Sequence, residues 1–320
     1  MQVLQGIAGL KQVPAGAVLS IGNFDGIHLG HRKLLEMAKE YRARDGGEIA
    51  VVTFEPHPLT VLKPEIAPPR LTPAYQKQKL LESLGVAHYV ILPPTQEILN
   101  LTAETFWQIL RDDVRPRHMI EGNSFTFGKG RGGTIQRLRE WSQGTPIELH
   151  ILPAVEAVLL DLTVVEVNSS LIRWLIAQGR VRDAAICLGR TYQLHGTVVQ
   201  GHQRGRTIGM PTANLKCDDQ LVPMEGVYAG RCVIGGEEFI AAISIGTMPT
   251  FGENARQVEV HVLGFSRDLY GQQLDVQMVD WVRAQVRFNG VEALKEQMRR
   301  DLVWIRGRSG LDPSRALVEI

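Results

Sequence analysis

Apolar and polar positions along the 320-residue chain fall into two regimes. Up to about residue 188, unbroken apolar runs of strand length alternate with segments of helical period. Val18 to Ile21 predicts a strand that ends at Gly22. Arg32 to Tyr41 predicts a helix whose apolar face is Leu34, Leu35, Met37, Ala38 and Tyr41. Gly47 to Phe54 has the continuous apolar centre of a strand buried on both faces. Helix then alternates with strand: Thr72–Leu84, Ala87–Leu92, Ala103–Val114, Arg117–Glu121, Ile135–Ser142 and Ile147–Leu152, closed by a helical pair at Ser169–Gln178 and Val181–Leu188. This alternation predicts an α/β domain built on a doubly wound, mostly parallel sheet.

Beyond Leu188 the helical period stops, and short alternating runs with glycine, proline and aspartate punctuation take over. Gly196–Gln200, Gly226–Ile234, Glu238–Ser244, Val258–Phe265 and Gln273–Asp280 predict a small antiparallel β-barrel. One helix, from Val291 to about Ile305, offers it Leu294, Met298, Leu302 and Ile305. The expected domains are therefore 1–187 and 188–320.

Composition narrows the class. A formal net charge of +1 offers no general field for nucleic acid or a membrane surface, so an anionic ligand must be held by local arrangement. Three widely spaced cysteines, Cys187, Cys217 and Cys232, fit neither a disulfide framework nor a paired-cysteine zinc site, and predict reduced thiols in a cytoplasmic protein. No stretch reaches the length of a membrane span, and the first residues lack the pattern of a signal peptide.

The candidate chemistry begins at Gly22-Asn-Phe-Asp-Gly-Ile-His-Leu-Gly-His31, where a strand turns through glycines into a helix start. Such a turn offers unpaired N–H donors and the positive end of a helix dipole to an anion. Gly26 and Gly30 permit close approach, and His28 and His31 supply hydrogen bonds or charge to phosphate oxygens. His57, in the stiff Glu55-Pro-His-Pro58 exit of a buried strand, either faces the same ligand or is a surface residue. Asn168-Ser-Ser-Leu-Ile-Arg173 opens a second helix with two hydroxyls and places a guanidinium one turn on, which suits phosphate. Gly128-Lys-Gly-Arg-Gly-Gly133 satisfies a dinucleotide pattern but lies deep in the domain after a short apolar stretch. A loop carrying Lys129 and Arg131 is expected there, not a Rossmann site. In the second half, Gly201 to Asn214 is a glycine- and arginine-rich loop ending in the hard oxygen donors Thr212 and Asn214. Read from its residues alone, it is also compatible with an ordinary hairpin loop.

Gly22 to His31, Thr53-Phe-Glu-Pro-His-Pro58, Arg70-Leu-Thr72 with Lys77, Phe125-Thr-Phe-Gly128 and Asn168 to Arg173 occur in this order. Together they resemble the adenylyltransferase half of the prokaryotic bifunctional riboflavin kinase/FAD synthetase family. The resemblance implies a nucleotidyltransferase domain in which FMN phosphate attacks the α-phosphorus of ATP, giving FAD and pyrophosphate. It implies that His28 and His31 stabilise the triphosphate and that Ser169, Ser170 and Arg173 grip the outgoing phosphates. Gly22, Phe24, Asp25, Gly26 and Gly30 would complete the nucleotide loop, with His57, Asn123 and Ser124 toward the flavin. Where the family often has Asn or Asp before Phe125, this chain has Ser124, with Asn123 one place earlier; Asn168 and Ser170 replace the outer members of a Ser-Ser-Thr run.

Gly201 to Asn214, Gly226-Val-Tyr228, Ile245 to Phe251, Val258 to His261 and Asp268 to Gly271 resemble the riboflavin kinase half of the same family, so the likeness covers almost the whole chain. It implies a six-stranded barrel that moves the γ-phosphate of ATP to riboflavin. Gly201, Gly205, Arg206 and Gly209 would lie over the nucleotide, with Mg²⁺ near Thr212 and Asn214. The family's kinase base is a glutamate in Arg-x-Glu-x-x-Phe. Here Arg283-Ala-Gln-Val-Arg-Phe288 puts Gln285 at that position, and Ser244 replaces the asparagine usual before Ile245. A glutamine amide can orient a hydroxyl but cannot take its proton. Loss of general-base catalysis costs about 100- to 10,000-fold, or roughly 3–5 kcal/mol of barrier. Two readings follow: an enzyme with both activities, or an FMN adenylyltransferase whose barrel only binds flavin or nucleotide. Oligomeric state is not legible.

Overall fold

The computed structural model describes residues 1–201, 210–247 and 256–308. The chain divides into two compact units, residues 1–157 with 165–168, and residues 158–164 with 169–320.

In the first unit, strands β1 (Gln2–Gln5), β2 (Val18–Ile21), β3 (Ile49–Phe54), β4 (His88–Leu92) and β5 (His118–Gly122) join a sixth, at Glu148–Leu152. Between β5 and that strand the chain makes a small hairpin, β6 (Thr126–Phe127) with β7 (Gly133–Thr134), so the sixth sheet strand is β8. The sheet order is β1-β4-β3-β2-β5-β8 with every neighbouring pair parallel. From β2 the chain winds through β3 to β4 on one side, then returns to β5 and β8 on the other. The order therefore reverses between β2 and β5, the crevice where open parallel sheets bind ligands at their carboxyl ends.

Helices cover both faces: α1 (Gly6–Leu10), α2 (Leu29–Asp45), α3 (Leu59–Leu62), α4 (Ala74–Ser83), α5 (Gln96–Leu99), α6 (Ala103–Gln108) and α7 (Ile135–Ser142). Strand alternation separates two cores. Leu19, Ala50, Val52 and Val90 pack with Phe106, Trp107 and Leu138, while Val18, Ile49, Val51 and Ile120 pack with Leu35, Ala38 and Leu81. Both faces being apolar is why β3 reads as an unbroken hydrophobic run. The helix expected over 103–114 changes to π-helical winding at Ile109–Val114 and ends at Arg115, whose φ is +52°. The expected doubly wound sheet is present. β1 and α1, too short to carry a clear period, escape sequence reading.

A hairpin of β9 (Glu156–Val158) and β10 (Val164–Glu166) leads to α8 (Ser169–Ala177) and α9 (Val181–Leu188). In the second unit, strands β11 (Tyr192–Val199), β12 (Ala213–Lys216), β13 (Gly226–Ile234), β14 (Glu237–Thr247), β15 (Arg256–Val262) and β16 (Gln273–Arg283) close a barrel in the order β11-β12-β15-β14-β13-β16. The helix α10 (Val291–Arg308) lays Leu302, Trp304 and Ile305 against Ala229, Ile240 and Leu263. The α8–α9 turn packs on the barrel, where a Cβ on Gly179 would stand 2.9 Å from the Trp281 ring. Strand β12 begins at the end of the stretch whose composition also fits a hairpin loop.

Candidate active site

At the switch point, Gly22 follows β2 and its N–H donates to Val52 O. Three residues of the turn that follows have left-handed backbone, Phe24 (φ +47°), Gly26 (+87°) and Ile27 (+39°). Tertiary contacts hold this shape. Phe24 and Ile27 are buried, and the carboxylate of buried Asp25 accepts from the N–H groups of Leu71 (3.0 Å) and Thr72 (3.0 Å). Asp25 thereby fixes the wall of the loop. Thr53 Oγ1 and Lys77 Nζ both donate to Asn23 O, and Glu55 pairs with Lys77 (2.8 Å) and Arg70 (2.8 Å). The segments singled out from sequence, at 22–31, 53–58, 70–72 and Lys77, thus meet around one loop.

His28 caps α2 with extended backbone (ψ 175°) and is buried, and His31 lies in the first turn. Their rings stack with centroids 3.8 Å apart, and His31 also rests on Phe24 at 4.8 Å. Two donor-bearing imidazoles stand together at the helix start, where N–H groups and the dipole favour an anion. A Cβ on Gly30 would lie 3.1 Å from the His28 ring, so the glycine also makes room for that imidazole.

His57 accepts from Leu59 N–H through Nδ1 (3.1 Å). Asn123 and Ser124 are exposed in the turn after β5, at the carboxyl end of the sheet like Gly22. The Lys129–Arg131 turn joins β6 to β7 in a short hairpin, with no strand-turn-helix of the dinucleotide kind. Sequence reading passed over Glu121. It is fully buried at the end of β5, accepts from Ile21 N–H (2.9 Å), and is held well above the ordinary carboxyl range by burial, opposed by that hydrogen bond. A carboxylate directly after the buried apolar pair Met119 and Ile120 was the available signal.

In the second unit, Ser169 and Ser170 open α8 and Arg173 follows one turn later, half-buried. On the barrel, Val258, Val260 and Val262 point inward, so Glu259 and His261 share the outer face of β15. Register aligns Asn214 with Glu259 and Glu259 with Ser244, a polar row across three strands. A Cβ on Gly201 would fall 2.1 Å from Asn214 Nδ2, so only glycine lets that side chain lie there. His261 Nδ1 donates to Pro211 O (2.8 Å), the residue before Thr212, and burial holds its pKa below the ordinary value. Gln285 Nε2 donates to Ser244 Oγ (2.9 Å) and Ile245 O (3.0 Å). Glu225, Ser244, Gly246, Thr247, Gln257, Glu259 and Gln285 line a cavity of about 280 Å³. Gly205, Arg206 and Gly209 lie outside the described residues.

Comparison with known proteins matches each half. The FAD synthetase family model covers residues 10–161 and the riboflavin kinase family model covers 188–307. The bifunctional riboflavin kinase/FMN adenylyltransferase of Escherichia coli K12 is 33% identical over 314 residues, spanning 97% of this chain and 99% of that protein. The Bacillus subtilis protein of the same name is 32% identical, over 91% and 92% of the two chains. A crystal structure described as a macrolide-efflux protein from Streptococcus pneumoniae superposes on 98% of this chain and all of its own, with a TM-score of 0.86 and 28% identity. Among the described residues no helix is long and apolar enough to cross a membrane. On the strength of the full-length relatives, the chain belongs to the bifunctional riboflavin kinase/FMN adenylyltransferase family.

Proposed function

We propose that the chain phosphorylates riboflavin to FMN and adenylylates FMN to FAD. The observation that carries this reading is that each family model falls on a fold that suits its reaction. FAD synthesis belongs to residues 1–187, with His28 and His31 at the switch point of the parallel sheet, and the kinase reaction to the barrel domain, residues 188–320.

In adenylyl transfer, an FMN phosphate oxygen attacks the α-phosphorus of ATP while the bond to the bridging oxygen breaks and pyrophosphate leaves. The nucleophile is already an anion, so the protein's work is positioning and charge stabilisation. His28 and His31 donate to the phosphates as charge builds. The loop of Gly22, Phe24, Gly26 and Gly30, tied down by Asp25, holds the nucleotide against the α2 start. His57, Asn123 and Ser124 contact the flavin, and the hydroxyls of Ser169 and Ser170 with the Arg173 guanidinium one turn on suit phosphate.

In the kinase reaction, the riboflavin 5′-hydroxyl attacks the γ-phosphorus of ATP and must lose its proton. Gln285 orients that hydroxyl through Oε1, its NH₂ being spent on Ser244 and Ile245. Glu259, beside Ser244 in the row and on the same cavity, takes the proton. The side-chain oxygens of Asn214, seated closely against Gly201, and of Thr212 fit Mg²⁺. The ion would screen the phosphates of ATP. ATP, riboflavin, FMN and FAD are the small-molecule partners, and the cytoplasm supplies them.

Separate incubations with riboflavin and with FMN, each with MgATP, test the reading by product identity. FMN and FAD are expected from the first and FAD from the second. FAD from FMN with no FMN from riboflavin would make the barrel a binding module only. His28→Ala is expected to slow FAD formation about 100- to 1,000-fold, the cost of losing one donor to developing charge. An unchanged rate would remove His28 from the chemistry.

A further inference from the structure

At the opposite end of the parallel strands from the Gly22 turn, two histidines and a glutamate converge. His118 opens β5, Glu148 opens β8 and His150 lies two residues further on, so all three share one face of the sheet. His118 Nδ1 is 3.1 Å from His150 Nε2 and 3.6 Å from Glu148 Oε2, and the three ligand atoms all lie within 4.8 Å of one another. Tetrahedral bonds of about 2.0–2.1 Å require ligand atoms about 3.3 Å apart. The 3.1 and 3.6 Å separations bracket that spacing, and the half-exposed Glu148 can swing to shorten the third.

Neighbours on α2 fix both rings. Tyr41 OH lies 2.9 Å from His150 Nδ1, and the Tyr41 ring stacks on His150 at 3.9 Å and on His118 at 4.6 Å. Asp45 Oδ2 stands 3.2 Å behind His118 Nε2, and Arg44 and Arg117 pair with the same carboxylate. The far nitrogen of His150 thus meets a hydroxyl, the arrangement that selects the tautomer and aims the near nitrogen of a ligating histidine, whereas His118 Nε2 lies near the Asp45 carboxylate without a hydrogen bond to it. Burial lowers the pKa of both histidines.

We propose that His118, His150 and Glu148 bind a divalent transition-metal ion of the zinc type, with water in the fourth position. Two imidazoles and one carboxylate are a donor set for such an ion and not for Mg²⁺, so the site is distinct from the ATP-bound metal of either reaction. The hydrogen bond between the two histidines gives way to the ion: His150 moves its proton to Nδ1, where Tyr41 oxygen accepts it.

The test uses the full chain stripped of metal, titrated with Zn²⁺ against a chromophoric chelator in excess Mg²⁺, and with Co²⁺ for its visible spectrum. One ion per chain is expected, with d–d bands of low coordination number and no thiolate charge-transfer band. His150→Gln and Glu148→Gln, both at accessible positions, are expected to lose binding. Tyr41→Phe should weaken it about 10- to 100-fold, the usual cost of a lost outer hydrogen bond. Circular dichroism and thermal unfolding confirm that each variant is folded. No bound Zn²⁺, thiolate bands, or wild-type affinity in folded His150→Gln would overturn the proposal, leaving the cluster as a histidine–histidine hydrogen bond.

Discussion

Gln285 shows how much one side chain's orientation depends on its surroundings. Its amide nitrogen meets Ile245 O, a group that can only accept, so the NH₂ must point there and Oε1 must point away. A glutamate in the same rotamer would press a carboxylate oxygen against that carbonyl. We therefore expect Gln285→Glu to change FMN formation from riboflavin by less than about tenfold, because the carboxyl either holds a proton or turns aside. Glu259→Gln should lower the same rate about 100- to 10,000-fold. A large gain in the first variant with no loss in the second would move the base to position 285. Gly201→Ala is expected to push Asn214 from its seat, since its Cβ would lie 2.1 Å from Nδ2; the readout is a raised Mg²⁺ requirement for FMN formation, with FAD formation from FMN unchanged. The residue types at 28, 31, 285 and 214 are legible in the sequence through their motifs. Their partners are not, because Ile245, Ser244 and Gly201 come from other strands and loops.

Single elements are held by contacts that periodicity cannot reveal. The end of β16 is joined to α10 by Arg283, whose guanidinium meets Asp301 through Nε (3.0 Å) and a second nitrogen (2.7 Å), while Gln297 also donates to Asp301. The sequence pattern identifies the helix and its Leu302–Ile305 face but not this fork. Both partners are largely buried, so removing one leaves an unpaired charge. Asp301→Ala is expected to destabilise the barrel unit by about 3–5 kcal/mol in chemical denaturation. A loss below about 1 kcal/mol would mean that water reaches Arg283 freely. Strand β12 was obscured for a related reason. Its residues 213–216 follow a proline, are few, and gain strand geometry from pairing with β11 and β15.

For the molecule as a whole, Glu121 sets a pH dependence of stability. Its folded pKa is raised, so the native state holds a proton that the unfolded chain releases at lower pH. Stability from this group is fully present below the unfolded glutamate value and is lost as pH rises toward the folded value. Glu121→Gln keeps an acceptor for Ile21 N–H and removes the titration, so its melting temperature should exceed the wild type's at neutral pH, with the gap closing toward pH 4. An equal gap at both pH values would refute that assignment.

The sequence by itself determined the two regimes of local structure, the alternation that builds a parallel sheet, and the motifs that mark a phosphate-binding turn, because periodicity and glycine placement act within a few residues. Tertiary structure alone decided the reversal of strand order between β2 and β5, the duty of Asp25 as an anchor for residues 71 and 72, and the stacking of His28 on His31. It also brought His118, Glu148 and His150 together from two neighbouring strands. Each depends on groups far apart in the chain meeting in space, and no local pattern encodes which strands become neighbours.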